Sequence, residues 1–235
     1  MTHPAMLFAV FPLAAYLIGS TPFGPVIGLL HGVDIRRHGS GNVGATNVGR
    51  LFGKRWGYGC FVLDVAKGFV PVFIAGRLIF TGVDDVPAVG AQAAWLLVAA
   101  AAICGHVLSF WLGFRGGKGV ATALGAVCGV WPFLAQAGLA ALAVWIIVTS
   151  LSRYVSLGSI VAAVAFFPLF VGLNWLSLGE WPLVRRLWPM GVFALAIPAM
   201  IIIRHRGNIA RLLAGSENKI GRPTDPPADA ADGQA

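Results

Sequence analysis

The sequence predicts an all-α, polytopic integral membrane bundle with about seven transmembrane helices, one of them short. Three observations carry that prediction. Of 235 residues, 57% are hydrophobic and only 11% charged, with a mean hydropathy of +0.80, far too little polar surface for a soluble domain. Six apolar runs approach the roughly 20 residues that a helix needs to cross a bilayer. Between them, the polar, glycine-rich segments fall on alternate turns, which places them all on one side of the membrane.

The first run is Pro4–Leu30. It is expected to remain as a membrane helix, because Thr2-His3-Pro4 lacks a basic leader and no small-residue cleavage site follows. Next comes "HGSGNVGATNVGR", His38–Arg50, with hardly any apolar bulk. Its glycines let backbone N–H groups around Gly41 and Asn42 converge on an anion. Ser40, Thr46 and Asn47 add side-chain donors, and Arg50 adds a guanidinium suited to phosphate oxygens. A flexible linker with turn residues is the competing reading. The second run, Gly57–Phe80, carries Asp64 and Lys67 about two turns in. Intramembrane charges are costly, so these two should pair across one turn or face the interior, in a structural rather than a catalytic role.

Ala91–Leu112 is the third run, and "FRGGKGVATALG" follows it. Gly116, Gly117 and Gly119 surround Lys118, and a helix starts directly afterwards, which places free N–H groups and a positive helix end beside a lysine. A tight turn with one topogenic lysine is the alternative. The segment is not a Walker A loop, since Gly119 follows Lys118 and Leu112 stands where the first glycine belongs. Val120–Val130 is short and should turn at Trp131-Pro132. Pro132–Ser150, Val155–Leu176 and Leu187–Ile203 complete the spans. The junction "SRYVSLGS" contributes Ser156. The segment "RHRGNIARLLAGSENKIG" contributes His205 and Asn208, which share a face if helical, and Glu217. A basic interfacial helix meeting lipid headgroups would explain this last segment equally.

Charge sets the orientation. The net charge is +8 and the pI about 10.1, read as topology and anion binding rather than nucleic-acid binding. With the N-terminus outside, all of the 17 Lys and Arg residues except Lys67, Arg77, Arg185 and Arg186 fall on the inner side. The C-terminus is then cytoplasmic. Asp84, Asp85 and Glu180 lie outside. Residues 1–221 form a single membrane domain, and the Pro-, Ala- and Asp-rich 222–235 a disordered tail. Cys60, Cys104 and Cys128 are widely spaced in apolar surroundings and should be buried packing residues.

The constellations supply hydroxyls, amides and cations but few carboxylates, which suits an anion with more than one phosphate, or two phosphorylated substrates. There is no G-x-S-x-G elbow, no H-x-x-x-x-D acyltransferase signature, no D-D-x-x-D and no zinc-ligand spacing. No metal and no cofactor are therefore expected.

The motifs "GSTPFG" (Gly19–Gly24), "GSGNVGATNVGR", "DVAKG" (Asp64–Gly68), "GGKGVATALG" and "RHRGNIARLLAGSENKIG" occur in the order found in a known family. The chain resembles the bacterial acyl-phosphate:glycerol-3-phosphate acyltransferases, the PlsY family. That resemblance implies a seven-helix enzyme of the bacterial inner membrane with a cytoplasmic active site. It implies acyl transfer from acyl phosphate to the 1-hydroxyl of glycerol 3-phosphate, forming lysophosphatidic acid for phospholipid synthesis. It also implies functional roles for Ser40, Arg50, Gly116, Lys118, Ser156, His205 and Asn208, with Glu217 structural. The partners expected are the two substrates and membrane lipid; no nucleic acid is expected, and a monomer would suffice. Positioning and electrostatics can carry such a reaction, since effective molarity alone supplies roughly 7–11 kcal/mol. The first loop and Ser40 would hold the acyl-phosphate head. Arg50, Lys118, Ser156, His205 and Asn208 would hold the acceptor. Either His205 or the acceptor's own phosphate could take the proton. The rivals are a transporter of a phosphorylated metabolite, which needs a path across the bilayer and usually inverted repeats, and a lipid-binding scaffold without catalysis.

Overall fold

The computed structural model describes residues 6–79, 86–181 and 185–220. The Asp84-Asp85 pair and the 222–235 tail, with the outermost ends of the first two spans, lie outside them. Ten α-helices are labelled here: α1 Phe11–Ser20, α2 Phe23–Leu30, α3 Ala45–Phe52, α4 Lys54–Ile79, α5 Val89–Val107, α6 Val120–Gly129, α7 Ala135–Ser152, α8 Val155–Leu178, α9 Trp188–Arg204 and α10 Arg206–Leu213. The chain is a polytopic helical membrane bundle. Among the described residues, five helical segments are long and apolar enough to cross a membrane, or six if α9 and α10 count as one bent span. Helix α6 is apolar but only 10 residues long and stops before Trp131-Pro132.

The first span is not one helix. It starts with a π-helical turn, Met6–Val10, runs through α1, and breaks at Thr21-Pro22 before α2. A residue before proline is pushed out of helical geometry, and Thr21 has φ −55°, ψ 119°. Backbone carbonyls freed inside a membrane need partners. The Ser109 hydroxyl donates to Ser20 O at 2.6 Å, and Lys67 Nζ donates to Thr21 O at 2.8 Å. Lys67 is in turn paired with Asp64, one turn away on α4, at 2.7 Å. The pair thus stitches the second span to the break in the first.

Small residues bring the spans close enough to do this. Helix α4 meets α6 where a Cβ added to Gly125 would lie 1.9 Å from Val65 O, and one on Gly68 2.2 Å from Thr122 O. Helices α7 and α8 form an antiparallel hairpin through Arg153-Tyr154. It is laced by Trp145 Nε1 donating to Ser159 Oγ (3.2 Å) and Asn174 Nδ2 donating to Phe133 O (2.9 Å).

Two expectations need correction. The last span ends one residue late and bends by 58° at His205, so His205 and Asn208 do not share a face of one continuous helix. Cys60 is buried, but Cys128 is half-buried and Cys104 exposed. In a membrane helix an apolar neighbourhood can be lipid as well as core, so sequence surroundings do not report burial.

Candidate active site

One cavity of about 690 Å³ gathers residues from along most of the chain, and five separate parts of it meet at the polar end. At its polar end stand Ser40, Asn42, Thr46 and Arg50 from the first loop and α3. Lys118 and Gly119 come from the α5–α6 loop, and Ser156 from the start of α8. His205 and Asn208 come from the bend and α10, and Glu217 from the segment after α10. Gly41, Asn47, Gly116 and Gly117 support it from behind.

The first loop is built around Asn47. This side chain is fully buried. Its Oδ1 accepts the Ser40 N–H at 2.9 Å, and its Nδ2 donates to Ile35 O at 3.0 Å and His38 O at 3.2 Å. Both amide donors are spent inside the loop, so Asn47 shapes the cradle. Gly39 and Gly41 take positive φ, +61° and +67°, which glycine tolerates at no steric cost. The Gly41 N–H turns back onto His38 O, and Asn42 Oδ1 accepts the Gly44 N–H at 2.9 Å. What remains for a ligand is the Ser40 hydroxyl, the orphan N–H groups in the first turn of α3, and Thr46 with Arg50, four residues apart on one face.

The second loop differs from expectation. The Gly116 N–H donates to Val107 O and the Gly117 N–H to His106 O, both at 3.1 Å. These bonds satisfy carbonyls at the end of α5, so neither N–H is free for an anion. The glycines are there for space: a Cβ on Gly116 would lie 1.9 Å from His106 O, and one on Gly117 2.3 Å from His106 Nε2. Their carbonyls accept from Arg204 Nη2 at 3.2 and 2.9 Å. Lys118 is the one side chain that this loop sends into the cavity, beside the first turn of α6, and it donates to Asn208 Oδ1.

Glu217 ties the third group together. It accepts from Ser156 Oγ (2.9 Å), Asn208 Nδ2 (2.7 Å) and Arg211 Nε (2.8 Å). Burial pushes its carboxyl up, but these hydrogen bonds outweigh burial and hold it below the usual range. Arg50 Nη2 reaches Asn218 O at 3.3 Å and closes the ring between the first loop and the C-terminal segment.

The electrostatics are one-sided. Arg50, Lys118, Arg204 and Arg211 converge on the polar end around Glu217. Burial pulls Lys118 down to about 8; Glu217 opposes this, and the neighbouring arginines reinforce it. Burial likewise lowers Arg50. His205 is pulled down to about 4, mainly by burial, against its hydrogen bond to Ile201 O and with the Lys118 charge adding. Its Nδ1 lies 2.8 Å from that carbonyl. A carbonyl only accepts, so Nδ1 carries the proton and Nε2 is left with its lone pair.

Sequence reasoning missed two groups. Arg204, read only as a topogenic charge, holds the second loop by its carbonyls. His106, 7% exposed, is the platform for Gly116 and Gly117 and stands 3.7 Å from Asp64. An ionisable residue inside a predicted span was the signal that could have flagged it. Among the described residues no three His, Cys, Asp or Glu side chains gather in a way that would hold a metal ion.

A helical membrane bundle with a cation-lined, partly apolar cavity defines a membrane protein built to hold anionic, amphipathic molecules. Residues 9–215 match the glycerol-3-phosphate acyltransferase family, and the chain belongs to it. It is 43% identical to the glycerol-3-phosphate acyltransferase of Aquifex aeolicus over 92% of this chain and 98% of that one. It is also 43% identical to that of Geobacter sulfurreducens, over 89% and 96%. Two crystal structures of PlsY (YgiH), an integral membrane glycerol 3-phosphate acyltransferase, superpose on it. The glycerol 3-phosphate form has a TM-score of 0.73 at 41% identity, and the lysophosphatidic acid form 0.72 at 40%. Each covers 90% of this chain and 94% of the other.

Proposed function

We propose that the chain carries out its family's reaction with a division of labour between its loops. It transfers an acyl chain from acyl phosphate to the 1-hydroxyl of glycerol 3-phosphate, giving lysophosphatidic acid and phosphate. The donor's phosphate lies against Ser40, Thr46 and the first turn of α3. The acceptor's phosphate lies between Lys118, Arg50 and Arg211, with Asn208 and Ser156 orienting its glycerol. His205 Nε2 accepts the hydrogen bond of the attacking hydroxyl. A group pulled down to about 4 is a weak base, so its role is to orient that hydroxyl. As the hydroxyl oxygen bonds to the acyl carbon and the acyl–phosphate C–O bond breaks, the hydroxyl's proton leaves its hydrogen bond with His205 Nε2 and passes to the departing phosphate, which is released as hydrogen phosphate. No covalent acyl-enzyme is required, since the donor is already activated.

The observation that carries this reading is the gathering of Arg50, Lys118, Arg204 and Arg211 around the single carboxylate of Glu217, on a cavity that continues along an apolar wall between α6, α7 and α8; the other lining carboxylate, Asp64, is already paired with Lys67. Phosphate groups balance the charge, and an acyl chain fits the apolar wall. We further propose seven membrane elements, with α6 the short one, an external N-terminus and a cytoplasmic C-terminus. The active site then faces the cytoplasm of a bacterial inner membrane. The basic loops and the polar end of the cavity lie together, which supports this orientation. Phosphate release from acyl phosphate by the purified protein in detergent tests the chemistry. Release should require glycerol 3-phosphate, and no release with both substrates present rejects the reading.

A further inference from the structure

The cavity runs from the polar cluster down between α6, α7 and α8, and its end is defined. Beyond Ser159 the wall from these three helices is apolar, with Leu124, Ala141, Leu142 and Ala163 among its residues. The deepest lining residue on α8 is Phe166 and on α6 Val127, while α7 contributes Gly138. These three lie at one level. In the α7–α8 hairpin Trp145 meets Ser159 and Phe133 meets Asn174, a register that sets Gly138 opposite Phe166. A Cβ on Gly138 would be 2.7 Å from Val127 Cγ2, so Val127 meets them from the third side. Immediately beyond, Phe133, Leu134 and Phe170 are 4%, 0% and 3% exposed and belong to solid core.

From Ser156 to Phe166 helix α8 advances ten residues, about 15 Å at a rise of ~1.5 Å each. That is half of the roughly 30 Å hydrocarbon thickness of a bilayer, the depth of one leaflet. We propose that Val127, Gly138 and Phe166 form a stop that sets the acyl-chain length accepted, matching it to the leaflet into which the product's chain must fit. This rests on the acyl-transfer reading. A chain shorter than the cavity leaves apolar wall uncovered, and a longer one meets close-packed core that does not yield.

The test compares kcat/KM for dodecanoyl, tetradecanoyl, hexadecanoyl and octadecanoyl phosphate. Ala163→Leu puts bulk into the cavity one turn above Phe166. It should shift preference to shorter chains, with the octadecanoyl-to-dodecanoyl ratio falling at least about tenfold, the scale on which apolar pockets discriminate by size. Phe166→Ala opens the floor and should move the ratio the other way. If Ala163→Leu does not fold, Gly138→Ala replaces it, with a smaller shift of the same sign. Folded variants whose chain-length profile parallels wild type overturn the stop. A wild type that releases no phosphate from any donor instead overturns the underlying reaction, so the two failures are distinct.

Discussion

The two glycine-rich loops look alike in sequence and work differently. Each is short, polar and basic, and each precedes a helix. In His38–Arg50 the loop closes on its own Asn47, through bonds of 2.9–3.2 Å to Ser40 N, Ile35 O and His38 O. That internal closure leaves the first turn of α3 facing the cavity. In Phe114–Gly119 the loop closes on a neighbour, spending the Gly116 and Gly117 N–H groups on the end of α5. Lys118 is the one side chain that it delivers to the site. A glycine run therefore signals close approach of backbone, and what approaches is decided elsewhere in the fold.

The largest effect expected from this contrast is at Lys118. One charge-assisted hydrogen bond contributes roughly 1.5–3 kcal/mol, and kcat/KM should fall about 10- to 150-fold in Lys118→Ala at an unchanged elution profile and Tm. Loss of folding together with activity, or retention of more than a third of wild-type turnover, would remove Lys118 from the site and leave the second loop purely structural.

Gly116→Ala and Asn47→Ala sharpen the contrast at intermediate size. A methyl on Gly116 collides with the His106 carbonyl at 1.9 Å. Overpacking of this kind costs about 1–3 kcal/mol, so Gly116→Ala should lower Tm together with activity. Removing the Asn47 amide leaves the buried Ile35 O and the part-buried His38 O and Ser40 N–H without their partner, also about 1–3 kcal/mol, but within the first loop. The KM for acyl phosphate should then rise more than the KM for glycerol 3-phosphate. If Gly116→Ala leaves thermal stability untouched and changes only a KM, its N–H group binds substrate and the packing account fails. Identical KM patterns in the two variants would break the division between loops.

The fold class, the polar side of each connection, the short α6 and the Asp64–Lys67 pair were legible in the sequence. Hydropathy, spacing and the cost of a charge in lipid are local properties. The break at Thr21-Pro22 was not, although Pro22 was in view. A proline inside a span breaks it only if other helices can satisfy the freed carbonyls, and those partners, Lys67 and Ser109, are 46 and 89 residues away. The same holds at the site. Lys118, Asn208, Ser156 and Glu217 stood out as residue types, but their convergence on one carboxylate is a tertiary fact. A histidine inside a predicted span marked His106 as unusual, but that it would become the bed for the second loop is again a tertiary fact.

The smallest effect expected is a pH limb, and it isolates the one atom that the second loop delivers. Lys118 sits at about 8, well below an ordinary lysine, because burial and the surrounding arginines disfavour its charged form. Phosphate binding needs that charge, so kcat/KM for glycerol 3-phosphate should fall as pH rises through about 8. A bound phosphate favours the protonated form, so kcat, which reports the bound complex, should hold to higher pH. Stability runs the opposite way. The unfolded chain, with an ordinary lysine, holds more protons between about 8 and 10.5, so this group's contribution to stability rises with pH across that window. Lys118→Arg keeps a cation that does not titrate there. It should flatten the limb in kcat/KM even if its fork fits the site less well and lowers the plateau a few-fold. A limb that persists unchanged in Lys118→Arg belongs to another group, and the second loop would then supply position without the titrating charge.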